Sequence, residues 1–385
     1  MHFSIKMLII IVDYSSCRSY YKTCEERLDV LNTSACWLTV IIPAYNAGET
    51  LQKTVDSVLF QTQKDFAIII IDDGSTDEKT DRIGKNYAKH YPKQVTYLYE
   101  ENHGLGYARN KGMELVNTPY IAFLDSDDWL MPNFVEALQP YADVDMIFTL
   151  PQIYDETTGL ISDWYDKPLF DKLFSKDGEE RTLQQDIRLM NLEVSACRRI
   201  YRTSFLQEVA FRFPEGIKWE DVFAHFYLLS KCRSCKGVGS TGFYYRIGSN
   251  SQITAQEGGD RLDIIPVFWQ ILDYIGSQDR PDMIYPVMRS LLRFSVSSIR
   301  RSNMDIRPML VEELHALYHE IPRQYFHILN IEARKYHTYT DRLQYRFFGS
   351  AIRNRCLNWI CKDYLVQDMG EQLIRKLLHA KGKVQ

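Results

Sequence analysis

The chain has 385 residues and a net charge of −4, with 45% hydrophobic, 25% charged and 13% aromatic residues and no low-complexity tract. That composition excludes a disordered or fibrous chain, and the length allows one large domain plus a smaller one. The charge is uneven: from residue 281 onward 17 Lys/Arg stand against 10 Asp/Glu, a local +7, so the first 280 residues carry −11. Such a basic tail on an acidic body suits an anionic surface or acceptor, or simply solvated helix faces.

Residues 1–36 match neither of the parts that follow. Their longest aliphatic run, "MLIII" with Val12, is far short of the roughly 20 residues a membrane span needs and marginal for a signal-peptide core, so export is not expected. They are either a genuine extension or the result of a start codon assigned too early. Four apolar runs then read as strands: "LTVIIP" (38–43), "FAIIIID" (66–72), "VTYLYE" (95–100) and "YIAFLD" (120–125). The intervals of about 20 residues between them have helical periodicity, the βαβ signature of an open α/β sheet over about 37–255. In the first interval Leu51, Val55, Val58 and Leu59 fall on one helical face. In the second, Ser75 and Glu78 fit the S-x-x-E capping box. Pro132 suits the first turn of a helix.

Of the eight cysteines, "CRSC" (Cys232, Cys235) is half of a zinc ribbon, but no second pair follows, so two unpaired thiols are expected. Past Ile264 the strand signals fade. Stripes in "PVMRSLLRFSVSSIRR" and "RPMLVEELHALYHEI" predict a mostly helical second domain over 256–385. Its segment 343–365 mixes Tyr345, Phe347, Phe348 and Trp359 with Arg346, Arg353 and Arg355. It reads first as a helix packing on the catalytic domain or a second subunit, and secondly as an interfacial helix.

The chemistry concentrates where strands end. Ligands of open parallel sheets bind beyond the carboxyl ends of the strands, and two of these ends are acidic: Asp72-Asp73 and Asp125-Ser126-Asp127-Asp128. Carboxylates so close repel one another unless protonated or paired with a cation, for which Mg²⁺ or Mn²⁺ is the natural choice.

"VIIPAYNAGETLQKTVDSVLFQT", "IIIIDDGSTD", "ENHGLGYARNKG", "YIAFLDSDDWLMP", "RFPEGIKWEDVF" and "YYRIGSNSQIT" occur in the order and spacing of family-2 glycosyltransferases, and the chain resembles that family over about 39–254. The resemblance implies the GT-A fold, a Rossmann-like open mixed sheet flanked by helices. It also implies inverting, non-processive transfer from a UDP-sugar to a glycan or lipid-linked acceptor, forming a β-linkage. Asp125-Ser126-Asp127 is similar to the D-x-D motif, with Asp127 on the divalent metal and Asp125 near the ribose. Asp73 resembles the acid that bonds the base, and Pro43, Tyr45 and Asn46 the loop that frames it. Gly104 and Gly106 would let backbone approach the nucleotide, and Arg109 would be a cation near it. Glu220-Asp221 is similar to the pair whose Asp is the general base. His225, one turn on, reads as a buried helix residue rather than an orienting partner. Arg246 and Ser251 fall where the family often places a cation and a hydroxyl near the diphosphate.

Processive members carry Q-x-x-R-W and membrane helices; neither is present, so one sugar or a few are expected per encounter. A nucleotidyltransferase would need a cationic glycine loop after the first strand, where "PAYNAGET" has none before Lys53. The remaining alternative is a nucleotide-sugar-binding scaffold without catalysis, which would require loss of Asp127 or Asp221. The resemblance points to bacterial surface-glycan assembly (capsule, O-antigen, lipooligosaccharide, teichoic acid) by a cytoplasmic hexosyl- or N-acetylhexosaminyltransferase. It implies no nucleic-acid partner. Peripheral contact with the inner membrane face and self-association fit the C-terminal segment.

Overall fold

The structure, a computed structural model, describes residues 36–248 and 258–335. In chain order the first part runs β1 (Leu38–Ala44), α1 (Leu51–Leu59), β2 (Phe66–Asp73), α2 (Glu78–His90), β3 (Val95–Glu100), α3 (Leu105–Glu114) and β4 (Tyr120–Phe123). These four strands match the four apolar runs. β1, β2 and β4 are buried along their whole length, as central parallel strands covered on both faces must be.

The parallel order β3-β2-β1-β4 is only half of the main sheet. It continues through β10 (Arg199–Arg202), antiparallel to both β4 and β6 (Met146–Thr149), and then β11 (Cys235–Val238) and β9 (Glu179–Arg181). A second sheet, β5 (Trp129–Leu130), β12 (Phe243–Ile247), β7 (Gln152–Asp155) and β8 (Ile161–Asp163), stands beside it. Its members are two to five residues long, too short for a period-two pattern to show in the sequence.

After the short helices α4 (Phe134–Leu138), α5 (Lys167–Leu173) and α6 (Thr203–Glu208), helix α7 (Glu220–Lys231) leads into the C-terminal helices α8 (Ile264–Ser277), α9 (Ile284–Arg301), α10 (Arg307–Glu320) and α11 (Arg323–Lys335). Their apolar stripes are buried, including Val287, Leu291 and Leu292 of α9 and Leu310, Leu314 and Leu317 of α10. Tyr274 of α8 meets Tyr227 of α7 at 5.0 Å between rings, and its hydroxyl is 2.6 Å from Ser230 Oγ. One apolar core is thus continuous from the strands into the helices. Among the described residues no helix is long and apolar enough to cross a membrane. Segment 343–365, Ser251 and residues 1–35 lie outside them.

Two local expectations are corrected. Helix α2 is capped by Asp77, whose carboxylate accepts from Thr80 N at 2.9 Å, and Ser75 instead accepts from Asn46 N. Both patterns satisfy N-cap chemistry, and the one whose side chain faces the helix wins. Pro132 precedes rather than enters its helix, which begins at Phe134. Gly106 is closely packed: a Cβ there would lie 2.1 Å from the carbonyl oxygen of Pro214. Gly106→Ala is therefore expected to cost about 1–3 kcal/mol in chemical denaturation, because backbone blocks the new methyl. A cost below a few tenths would show that the 213–215 segment yields easily.

Candidate active site

The site forms where β1, β2 and β4 end together, a register fixed by pairing of Ala44 with Asp72 and of Ile41 with both Ile69 and Phe123. Past buried Pro43 near the end of β1, exposed Tyr45 and Asn46 begin a loop that turns through a positive φ of 50° at Asn46. The Asn46 side-chain oxygen accepts from the Thr76 amide (2.8 Å) and the Asp77 amide (3.2 Å), tying this loop to the one after β2. Tyr45 is left facing solvent.

Asp72 and Asp73 play different parts. Asp72 is buried and accepts from Ser75 N (2.8 Å) and the Tyr97 hydroxyl (2.7 Å). Asp73, also buried, accepts from the amides of His103 and Gly104 at 2.8 Å each, so it fixes the turn into α3. Burial raises its pKa and those two amides oppose the rise. Gly104 holds φ +92° at that turn, a conformation suited to glycine.

The acidic loop after β4 is held from three sides. Thr54 of α1 has its hydroxyl 2.7 Å from the carbonyl oxygen of Asp128 and 2.9 Å from that of Ser126. From β12, Arg246 donates its amide to Asp128 Oδ1 (2.9 Å) and its Nε to the Asp127 carbonyl (2.9 Å), while Nη1 reaches Glu156 (2.8 Å). Asp128 is thereby buried and structural, with its pKa pushed well up by burial and then by Asp127 and Asp125. Asp127 is only half-buried, and its carboxylate accepts no hydrogen bond from another described side chain. Burial, then Asp125, pushes its pKa up to about 6.

The third hold is Arg109, 2% exposed on α3. Nη2 donates to Asp125 Oδ1 at 2.9 Å and Nη1 donates to Glu220 Oε1, with the rings of Phe213 and Phe123 at 5.3 and 5.9 Å. The guanidinium expected near a nucleotide is buried and joins two carboxylates. Its neighbour Asn110, absent from the sequence reading, bonds Phe213 O (2.9 Å), Phe213 N (2.8 Å) and Glu215 (2.7 Å), fixing the approach to the acidic pair. "YARN" carries no signal for this, because the partners lie about a hundred residues away. Lys53, with Nζ 3.1 Å from the centroid of the Trp129 ring, is a further cation beside the acidic loop that the sequence did not single out for the site.

Glu220 and Asp221 open α7 after Trp219, a non-glycine residue in the left-handed region at φ 67°. Glu220 is buried, and burial raises its pKa to about 7 against the lowering effect of Arg109. Asp221 is half-buried and accepts no hydrogen bond from another described side chain. Burial raises its pKa as well, Arg109 opposing and Asp125 adding. His225 does not orient it. The Arg199 guanidinium donates to His225 Nδ1, so Nε2 carries the hydrogen and donates to Met190 O (3.0 Å), a neutral buried histidine as expected. Cys232 and Cys235 are buried, and neither forms a disulfide.

No group of three or more His, Cys, Asp or Glu among the described residues forms a metal cage. A half-buried Asp127, with a raised pKa and no partner among the described side chains, fits a divalent ion that takes one protein carboxylate and completes its shell with phosphate and water.

The sequence model of Glycosyl transferase family 2 matches residues 39–209, the stretch that carries β1 to β4, Arg109 and the Asp125–Asp128 loop. The chain carries a glycosyltransferase family 2 domain. Among curated relatives, it is similar to an uncharacterized glycosyltransferase YibD of Escherichia coli K12 (44% identity over 27% of this chain and 30% of that one). It is also similar to glycosyltransferase GlyA of Streptococcus pneumoniae (30% over 50% and 28%). A third relative is a teichoic acid poly(glycerol phosphate) polymerase of Staphylococcus epidermidis (32% over 47% and 24%). The chain thus spans less than a third of the length of each of these three relatives. Among solved structures, S. aureus TarS 1–349 in complex with UDP-GlcNAc superposes with a TM-score of 0.64 over 83% of this chain and 92% of that one, at 17% identity. The family 2 domain therefore has the GT-A fold.

Proposed function

We propose that the chain is an inverting, metal-dependent glycosyltransferase that moves one hexosyl or N-acetylhexosaminyl unit from a UDP-sugar to a hydroxyl of a glycan or lipid-linked acceptor in bacterial surface-polysaccharide assembly. One observation carries this reading: Arg109 bridges Asp125 and Glu220, so the D-x-D loop and the acidic pair at the head of α7 are built around a single guanidinium. The similar TarS fold in complex with UDP-GlcNAc and the relative named for teichoic acid synthesis support the donor and the pathway class. In this reading residues 37–255 hold donor and base, and 256–385 serve the acceptor, a second subunit or a membrane.

Asp221 takes the proton of the acceptor hydroxyl as that oxygen attacks the anomeric carbon. The new C–O bond forms opposite the breaking bond to the diphosphate, so configuration inverts. Asp221 suits the role because it has no partner among the described side chains, is partly open and is of raised basicity, whereas Glu220 is committed to Arg109. Asp127 would hold the ion, whose charge offsets that gathering on the leaving nucleoside diphosphate. Pro43, Tyr45, Asn46 and Asp73 would frame the base, Asp125 and Ser126 the ribose, and Arg246 the diphosphate side of the acidic loop.

Calorimetric titration of UDP with Mn²⁺ is expected to give binding that EDTA abolishes and Asp127→Ala removes. UDP binding unaffected by both would overturn the metal-dependent donor site. Protons compete with the ion at Asp127, so affinity should fall about tenfold per pH unit below about pH 6, rather than below the ordinary carboxyl value near 4. A pH-independent affinity between 5 and 7 would remove Asp127 from the metal.

A further inference from the structure

Lys53 lies in the first turn of α1, one residue before Thr54, whose hydroxyl is bonded to the carbonyl oxygens of Ser126 and Asp128 on either side of Asp127. Those bonds fix the lysine beside the acidic loop. Its exposed side chain reaches over the small sheet, with Nζ 3.1 Å from the centroid of the Trp129 ring and 5.3 Å from that of Tyr154. Trp129 follows Asp127 by two residues and stacks at 5.3 Å on Tyr244, its partner between β5 and β12. Arg246, two residues further along β12, is paired with Tyr154 of β7, so the period of two puts Trp129, Tyr244, Arg246 and Tyr154 on one face of the sheet. The other face carries Leu130 and Phe243 and is buried. The acidic loop thus runs on into an aromatic face on which Lys53 rests.

The cations around this loop are engaged differently. Arg109 is buried between Asp125 and Glu220, and Arg246 is held by the Asp127 carbonyl and by Glu156. Lys53 forms no ion pair with a carboxylate among the described residues, and its ammonium rests on a ring. That attraction is weak at an exposed site, whereas phosphate oxygens offer an ammonium both charge and hydrogen bonds. Burial and then Arg246 lower the pKa of Lys53, with Glu156 opposing, so its charge is under-compensated where it stands. The flexible stem of a lysine lets the head group move while the helix stays in place.

We propose that Lys53 is a donor-binding residue, whose ammonium leaves the Trp129 ring for the terminal phosphate of the nucleoside diphosphate. There it offsets the charge gathering on the leaving group as the bond from the anomeric carbon to the phosphate oxygen breaks and its electron pair passes to that oxygen. Lys53 stays protonated throughout. The inference rests on the donor reading given above and adds to it a cation that moves.

The test uses the full chain with Mn²⁺ and compares UDP, UMP and uridine by calorimetry. Lys53→Gln is expected to weaken UDP at least about tenfold, the loss of one charge-assisted contact, and to change UMP and uridine by less than about twofold. Lys53→Arg should recover most of the UDP affinity. UDP should also change the tryptophan emission of the wild type as the ammonium leaves the indole, a change missing in Lys53→Gln and in Trp129→Phe. A lysine that only packed on Trp129 would show no selectivity for the second phosphate. Because Lys53 is exposed and Thr54 still holds the loop, Lys53→Gln should unfold at the wild-type denaturant midpoint. Unchanged UDP affinity in Lys53→Gln, or equal losses for all three ligands, would overturn the proposal and leave the donor site standing. Failure of UDP to bind the wild type would instead overturn the donor reading, and this inference with it.

Discussion

Asp221→Asn is expected to lower turnover by about 10²–10⁴ while leaving the affinity for UDP and Mn²⁺ within about twofold of wild type. The expectation follows from the contrast between two adjacent acids. Glu220 is buried and committed to Arg109, whereas Asp221 is half-buried, has no partner among the described side chains and stands at the entrance of α7. An asparagine keeps the size and the favourable position in the first helical turn but cannot accept a proton. The measurement is UDP release with acceptor present, over a panel of UDP-sugars. Burial raises the pKa of Asp221, so the wild type should lose activity as pH falls through a value above the ordinary carboxyl range near 4. The raised pKa of its neighbour Glu220, about 7, broadens that limb, because two interacting carboxyls release their protons in steps that belong to the pair. In the variant this acidic limb should flatten. A variant with near-normal turnover would transfer the base role to Glu220 or to another group, and unaltered pH dependence would remove the carboxyl pair from the proton path.

The parts of this site that were legible in the sequence are those made by local pattern. The runs at 38–43, 66–72, 95–100 and 120–125 became β1 to β4 within two residues, because continuous aliphatic stretches between helical periods have few other uses. Asp125, Asp127 and Asp221 stood out because family motifs mark them. What stayed hidden depends on contacts across long separations. Arg109 meets Glu220 across 111 positions, and Arg246 meets Asp127 across 119. Nothing in "YARN" or "YYRI" foretells either. The mixed second half of the main sheet and the small second sheet were likewise unmarked, since strands of two to five residues carry too little periodicity. The Ser75 capping box failed for a related reason: Asp77 offered an equivalent cap two residues later, and tertiary contact with Asn46 drew Ser75 away.

Loss of Arg109 should damage both stability and activity. Arg109→Met keeps the length and apolar body of the side chain against Phe123 and Phe213 but leaves Glu220 buried without its cation. Breaking a buried pair from one side costs about 3–5 kcal/mol, far more than the pair's own net contribution. The pH dependence has a definite sign. Arg109 now lowers the pKa of Glu220, so its removal raises that value above about 7. A carboxyl whose folded pKa exceeds its unfolded value near 4.3 binds its proton more tightly in the native state. The variant should therefore be least impaired near pH 5 and lose stability as pH rises toward 8. Denaturant midpoints at those two pH values test this, and Glu220→Gln in the same background should recover much of the loss at pH 8. Activity should stay low in that double variant, because Asp125 has still lost the guanidinium that ties its loop to the head of α7. Arg109→Lys should not rescue, since one ammonium cannot reproduce the fork that spans Asp125 and Glu220. Recovery of full activity by lysine would mean that charge alone suffices, and that the geometry joining the acidic loop to Asp221 is dispensable.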